Sequence, residues 1–373
     1  MDNKQINIGL FGFGTVGKGL YDVLKKIQPE NVSIVKVCVR NVAKHSAETP
    51  ELEFTSNADD IFSDTRINFI VELIDDAEAA YGIVKRALQA KIPVVSGNKK
   101  MLARHIQEMI QLQRDNDTAL LYDASACGSI PVIRNLEEYY DNDLLISVKG
   151  ILNGSSNFIL SKIFNEGMNY AEALKLAQDL GFAESDPTLD IGGWDSLFKL
   201  IIITIHAFGV YVEPEQIFTF GIGNMNEHDI QFAHEKRRRV KLVGWAEKVD
   251  EDKLVLSVMP HLLSKQKYIY SVEDEFNGVV IKGLFYYKQF MFGQGAGGFP
   301  TGSAVLSDIT AQLYDYRYDS PATLNLLEFS TIHESYYSDT YKYVVGDIEL
   351  SQLQAQAQSL RESNVFVCLY PED

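Results

Sequence analysis

Cysteine is scarce in this chain: Cys38, Cys127 and Cys368 are the only three among 373 residues. Their scatter supports neither a disulfide framework nor a metal site. Cys38 lies in an apolar strand-like run and reads as core, while Cys127 sits in a glycine-containing loop with no histidine neighbour to activate it. Positive charge is also short. Lys and Arg number 34 against 51 Asp and Glu, a net charge of −17 that argues against nucleic acid or an anionic membrane as the main partner. The one basic run, Lys236–Arg239, reads as a solvated helix end. No apolar run is long enough to span a bilayer, and the N-terminus enters a strand pattern without a signal peptide, so the expectation is a soluble, cytoplasmic protein. Hydrophobic residues at 46% are enough for large cores, and 373 residues imply two or three domains.

What is present is an alternation of short strands and helices. Strand patterns at Ile6–Phe11, Val32–Val39, Ile67–Ile74, Ile92–Ser96 and Ala119–Tyr122 are separated by helical stretches, including Ala77–Ala90 and Met101–Gln113. That order signals βαβ units and a parallel sheet covered on both faces. The pattern changes after about residue 140. A longer strand at Leu144–Leu152 leads to helices at Ser155–Phe164, Tyr170–Leu180 and Trp194–Phe208, then to strands at Leu254–Val258, Val279–Lys282 and Leu284–Phe292. The expected division is a nucleotide-binding domain over 1–140, an α+β domain over 141–299, and a helix near 300–313 returning to the first. A short tyrosine-rich tail over 314–373 stands apart, with a polar helix near Leu350–Arg361 and a strand at Val365–Tyr370.

Gly12-Phe13-Gly14-Thr15-Val16-Gly17 follows the first strand and opens the first helix. In that context the G-x-G-x-x-G spacing predicts a Rossmann-type doubly wound domain. Gly12 permits the tight turn, Gly14 admits a pyrophosphate to the backbone, and Gly17 lets helix and strand pack closely, with free helix N–H groups facing the phosphates. At the end of the second strand, where an acid would bind the ribose hydroxyls of NAD, the chain has Arg40, with Lys44 a turn on. A guanidinium suits a 2′-phosphate, so NADP is favoured over NAD. Lys99, just beyond the fourth strand, is placed to reach the nicotinamide end, while Lys100 reads as solvent-facing.

A second constellation lies in Gly181–Lys199, GFAESDPTLDIGGWDSLFK. Asp195 and Lys199 are four apart and share one helix face. Such pairs usually decorate surfaces, but Leu197, Phe198 and Leu200–Ile203 make this helix apolar nearly all round, the mark of burial. A buried lysine needs a partner, and Asp195 can hold it ready to exchange a proton with a substrate oxygen. Glu184, Asp186 and Asp190 just upstream would suit a substrate ammonium, with helix capping as the alternative for Asp186 and Asp190.

Six ordered motifs, GLFGFGTVGKG, VVSGNKK, YDASACGSIPVI, GILNGSSNFIL, GFAESDPTLDIGGWDSLFK and GQGAGGFPTGSAVLSDI, resemble those of the homoserine dehydrogenase family over about Ile6–Ile309. The resemblance implies reversible hydride transfer between NAD(P)H and L-aspartate 4-semialdehyde, giving L-homoserine on the route to threonine and methionine. It assigns Lys199 as proton donor with Asp195 in support, and Glu184 to the substrate amino group with Asp190 assisting. Lys99 would lie close to substrate and nicotinamide. Gly12, Gly14, Thr15, Val16, Gly17, Arg40, Ile74 and Gly297 are the matching cofactor positions. A monovalent cation, usually sodium, would be held through backbone oxygens of Asp123, Ala126, Gly128 and Ile130, and a homodimer would form through the second domain. Four departures stand out: Asp75-Asp76 replaces a usual Gly-Gly, Asp123 replaces the usual Glu of the cation loop, GSSN replaces GTTN, and only a short tail stands where many members carry a threonine-sensing domain. Two other readings remain at this stage: a related dehydrogenase of another small amino or hydroxy acid, or a non-catalytic NADP-binding regulator.

Overall fold

The computed structural model describes residues 4–140, 143–250, 253–318, 332–339, 342–363 and 365–370. The chain divides into one unit of Met1–Glu137 with Ala296–Ala322, and a second of Glu138–Gly295 with Thr323–Asp373.

In the first unit β1 (Ile6–Phe11), α1 (Thr15–Ile27), β2 (Val32–Cys38), α2 (Val42–Glu48), β3 (Phe54–Thr55), α3 (Asp59–Phe62) and β4 (Phe69–Glu72) follow in order. Then come α4 (Ala77–Gln89), β5 (Val94–Ser96), α5 (Lys99–Asp115), β6 (Leu120–Leu121), α6 (Asp123–Cys127) and α7 (Val132–Glu138). The six strands form one sheet in the order β3-β2-β1-β4-β5-β6, every pairing parallel. This is the expected doubly wound sheet. Its strand order reverses between β1 and β4, which puts a ligand crevice beyond their carboxyl ends. Helices cover the sheet because β1 and β4 are buried nearly throughout, with Ile8, Leu10, Ile70 and Val71 fully enclosed. Residues 42–62 add α2, β3 and α3, which the strand-and-helix alternation did not reveal, since elements of two to seven residues carry little periodicity. The later helix Gly298–Ala311 packs on α1 so closely that a Cβ on Gly19 would lie 2.0 Å from the Gly298 carbonyl oxygen.

The second unit runs through β7 (Leu145–Ile151), α8 (Gly154–Glu166), α9 (Tyr170–Asp179), α10 (Thr188–Ile191), α11 (Trp194–Phe208), β8 (Phe218–Thr219) and α12 (Glu227–Glu235). It continues with β9 (Arg239–Asp250), β10 (Lys253–Leu263), β11 (Phe276–Gly283) and β12 (Lys288–Gln294). After α13, the helix Gly298–Ala311, come β13 (Ile332–Asp339), β14 (Lys342–Glu349), α14 (Leu350–Ala355), α15 (Ala357–Glu362) and β15 (Phe366–Leu369). Its sheet is ordered β12-β11-β7-β9-β10-β15-β13-β14, with β8 beside β10. It is mainly antiparallel, and α8 and α11 pack against β9.

Two expectations need correction. The basic run ends a helix only in part: α12 stops at Glu235, and Arg239 already begins a twelve-residue strand. The strand hides its charges by pairing them. Arg239 binds Glu273, and fully buried Lys241 donates to Asn157 Oδ1 at 3.0 Å and to the Val272 carbonyl. Within the tail, β13, β14 and β15 belong to the second sheet, where β15 lies between β10 and β13 with Phe366–Leu369 all buried. The Asn224 amide donates to the carbonyls of Leu360, Arg361, Ser363 and Val365, tying the tail to the loop after β8. Among the described residues no helix is long and apolar enough to cross a membrane.

Candidate active site

The glycine loop occupies the crevice between β1 and β4. Gly12 has φ +93°, and a Cβ there would lie 2.5 Å from the Leu73 carbonyl oxygen, so no other residue fits the turn. A Cβ on Gly17 would lie 2.3 Å from the Gly12 carbonyl oxygen, which is the close helix–strand approach the spacing implied. Gly14 differs from both. A Cβ there would meet nothing within 4 Å, and its φ is −80°. The chain's own packing therefore does not call for glycine at 14, whereas a pyrophosphate lying on the backbone does. Thr15 and Val16 open α1 with their N–H groups at its positive end. Gly297, at φ +117°, caps α13, and the Cβ position of Gly298 is 3.1 Å from the Thr15 carbonyl oxygen, so the glycines of the last motif border the first loop. Beside them is an open cavity of about 380 Å³ lined by Phe13, Gly14, Thr15, Lys18, Lys44 and Phe299, among others.

Arg40 follows β2 with its side chain 92% exposed and its guanidinium 3.9 Å from Asp76. An exposed pair at that distance contributes little, so Arg40 can exchange partners readily. Asp75-Asp76 occupies the loop after β4 without any left-handed backbone, so glycine is not required there. Asp76 instead caps α4, accepting the N–H groups of Glu78 at 3.1 Å and Ala79 at 3.0 Å. Ile74 lies in the same loop, and its carbonyl accepts the Asn98 amide at 2.9 Å. Asn98 also caps α5 through the Met101 N–H, so the helix begins at half-buried Lys99, two residues earlier than the apolar spacing suggested, and Lys100 is exposed.

In the second unit, α11 starts after left-handed Gly193 and is buried from Asp195 to Ile205. Lys199 is 6% exposed and Asp195 8%. The Lys199 ammonium contacts Asp195 Oδ2 at 2.8 Å and donates to the Leu152 carbonyl at 2.7 Å, at the end of β7. Asn153 is a member of this site that pattern reasoning did not single out. Its amide donates to Asp190 Oδ1 at 2.7 Å and to Asp195 Oδ2 at 2.9 Å, while its oxygen caps α8 through Ser156 N–H. The NGSSN motif held the signal, a capping residue ahead of a helix, but not its partners. Burial first, and then the Asp195 charge, raise the Asp190 carboxyl above its ordinary range. Glu184 is exposed on the preceding loop, where Gln178 donates to its carbonyl oxygen. Asp186 accepts the Thr188 N–H from one residue before the cap position, which is Pro187, so it is not the helix cap.

Asp123, Ala126, Gly128 and Ile130 fall on α6 and the turn after it, all buried. The Asp123 side chain is committed to the N–H groups of Ile133 and Arg134, and its own N–H donates to buried Asp308. Backbone carbonyls are hard oxygen donors of the type a monovalent cation takes. Among the described residues no cluster of three His, Cys, Asp or Glu could hold a metal.

A family model for the homoserine dehydrogenase NAD-binding domain matches residues 12–123, and one for homoserine dehydrogenase itself matches residues 131–310. Homoserine dehydrogenase of Bacillus subtilis is 34% identical over 322 residues, 84% of this chain and 74% of that protein. The Helicobacter pylori homoserine dehydrogenase is 36% identical over 313 residues, 82% of this chain and 73% of its own length. Among solved structures, a homoserine dehydrogenase from Thiobacillus denitrificans superposes with a TM-score of 0.88 at 28% identity, covering 99% of each chain. A hyperthermophilic archaeal homoserine dehydrogenase in complex with NADPH superposes at 0.72 and 26% identity, covering 84% of this chain and 99% of its own. With a nucleotide-binding sheet, a buried lysine–aspartate pair and these relatives, the chain belongs to the homoserine dehydrogenase family of NAD(P)-binding oxidoreductases.

Proposed function

We propose that this chain catalyses the reversible NAD(P)-dependent interconversion of L-homoserine and L-aspartate 4-semialdehyde, with Lys199 as the proton-exchanging group. The observation that carries the reading is the setting of its ammonium. Of its three N–H donors, one meets Asp195 and one the Leu152 carbonyl, which leaves one for a substrate oxygen. In the reducing direction Lys199 gives that proton to the carbonyl oxygen, and in the oxidising direction it takes the hydroxyl proton back. Asp195 keeps the ammonium oriented, and Asn153 holds Asp195 and Asp190 together. Glu184 and Asp190 bind the substrate ammonium. Bound NAD(P) supplies or accepts the hydride.

The first unit holds the cofactor through Gly12, Gly14, Thr15, Val16, Gly17 and Gly297, with Ile74 and Lys99 at the nicotinamide end. Arg40 and Lys44 favour NADP over NAD, since both are cations where a ribose-binding acid would stand. A monovalent cation, sodium in the first instance, sits on the carbonyls of Asp123, Ala126, Gly128 and Ile130. The protein acts in the cytoplasm as a homodimer formed through the second unit. Exposed Phe285, Tyr287 and Phe292 on the β11–β12 hairpin, at 68%, 66% and 53%, support that interface.

The test is the absorbance of reduced nicotinamide with purified protein, L-homoserine and either NADP or NAD. Turnover with a lower KM for NADP is expected. Binding of NADP without turnover of homoserine would contradict the reaction, and an equal or lower KM for NAD would contradict the role of Arg40.

A further inference from the structure

We propose that Glu72 is a positioning residue for this reaction: its carboxylate clamps the loop after β4 to the start of α5, and so sets the places of Ile74 and Lys99. This rests on the assignment of those two residues to the nicotinamide end.

Glu72 is the last residue of β4 and is wholly enclosed. Its neighbours in the sheet are Phe11 on β1 and Ser96 on β5. One carboxylate oxygen accepts the Ile74 N–H at 2.7 Å, and the other accepts the Ser96 hydroxyl at 2.6 Å. The Ser96 oxygen in turn accepts the Asn98 N–H at 3.2 Å. The Asn98 amide donates to the Ile74 carbonyl, and its oxygen caps α5 at Met101, two residues past Lys99. The circuit is closed. Both backbone polar groups of Ile74 are held, one by Glu72 and one by Asn98, and the Glu72 carbonyl accepts Gly97 N–H at 2.9 Å.

In its ionised form Glu72 offers an acceptor at both carboxylate oxygens, and Ile74 and Ser96 each present a hydrogen to them. Glutamine has the right size but one wrong end. Its amino group would either face the Ile74 N–H or strand the Ser96 proton. No basic side chain pairs with Glu72 among the described residues, and the charge acting on it is that of Asp75, of the same sign. Burial pushes its carboxyl up to about 7. An unpaired acid at the end of a parallel strand is a costly choice where an apolar side chain would pack, and such choices gather at working sites.

The experiment compares wild-type protein with Glu72→Gln and Ser96→Ala by amide hydrogen exchange and by steady-state kinetics. In both variants the amides of residues 73–76 and 98–101 should exchange about tenfold faster or more, as the loss of a buried hydrogen bond implies. Amides elsewhere should keep their wild-type rates. The value of kcat/KM should fall roughly ten- to a hundredfold, since small displacements of positioning groups carry penalties of that order. Unchanged loop exchange, or kcat/KM within about twofold of wild type, would overturn the clamp. If wild-type protein fails to turn over L-homoserine, the reaction assignment falls, and loop exchange with NADPH affinity in the same variants still decides the role of Glu72.

Discussion

Lys199 and Glu72 are both buried ionisable residues, and they behave differently because only Lys199 is paired with an opposite charge among the described residues. Lys199 has Asp195 and a carbonyl, and removing it should abolish proton exchange without touching the glycine loop. Asn153→Ala should act more mildly, raising the KM for homoserine and lowering kcat, because Asp190 and Asp195 lose their shared donor. Unchanged steady-state parameters would remove Asn153 from the site. Glu72 has no cation among the described residues, and its carboxyl is lifted from 4.5 to about 7 by burial. The folded state therefore holds a proton that the unfolded chain has released over that interval, so this group's contribution to stability falls as pH rises from about 4.5 to 7. The loss amounts to about 3 kcal/mol. Glu72→Gln does not titrate, so its melting temperature relative to wild type should climb between pH 5 and pH 8. A gap independent of pH would contradict the ionisation assigned here. Neither Glu72 nor Asn153 was legible in the sequence for the same reason. Within INFIVELI an acid looks like a strand end, and the Asp195 partner of Asn153 lies 42 positions along the chain. Lys199 was legible because burial and partner sit on one helix.

At the scale of elements, β1 and α11 are the clearest in the sequence. β1 has the expected limits, as does the helix Trp194–Phe208, while α1 begins inside the glycine motif at Thr15. β9 was missed because Arg238, Arg239 and Lys241 disguise a strand whose charges are neutralised by Glu273 and by carbonyls on other elements. Gly12 and Gly14 of the first loop can be separated by substitution. Gly12→Ala should destabilise the first unit, since its backbone is left-handed and its Cβ position is 2.5 Å from a carbonyl oxygen. Gly14→Ala should leave thermal stability near wild type, since its Cβ would meet open space, and weaken NADPH binding by an order of magnitude or more if the pyrophosphate lies there. Equal NADPH affinity in Gly14→Ala, measured by fluorescence titration, would contradict the placement of the pyrophosphate. Asp76→Ala should cost about 1 kcal/mol through the lost α4 cap.

For the molecule as a whole, the two units carry separate tasks on separate sheets, and the alternation of strand and helix in the first half was enough to read the parallel one. The tail was harder. Its tyrosine-rich strands join the second sheet through β15, and Arg361 donates to the Thr219 carbonyl while its guanidinium lies 4.9 Å from the ring centre of Trp194, the first residue of α11. Arg361→Ala should lower the melting temperature by the equivalent of about 1–3 kcal/mol, a partly buried acceptor being left without its donor. No change in melting would separate the tail from the stability of the second unit. Sedimentation should show a dimer that dissociates when Phe285 and Tyr287 are both replaced by serine, and a wild-type monomer at micromolar concentration would rule out the hairpin interface.

The most direct measurement is turnover of L-homoserine by Lys199→Ala alongside its affinity for NADPH. The expected result is a fall in kcat of roughly a hundred- to ten-thousandfold with NADPH affinity unchanged, the size that removal of a proton-exchanging group carries. Near-normal kcat in a folded, NADPH-binding variant would contradict the assignment of the chemistry to Lys199.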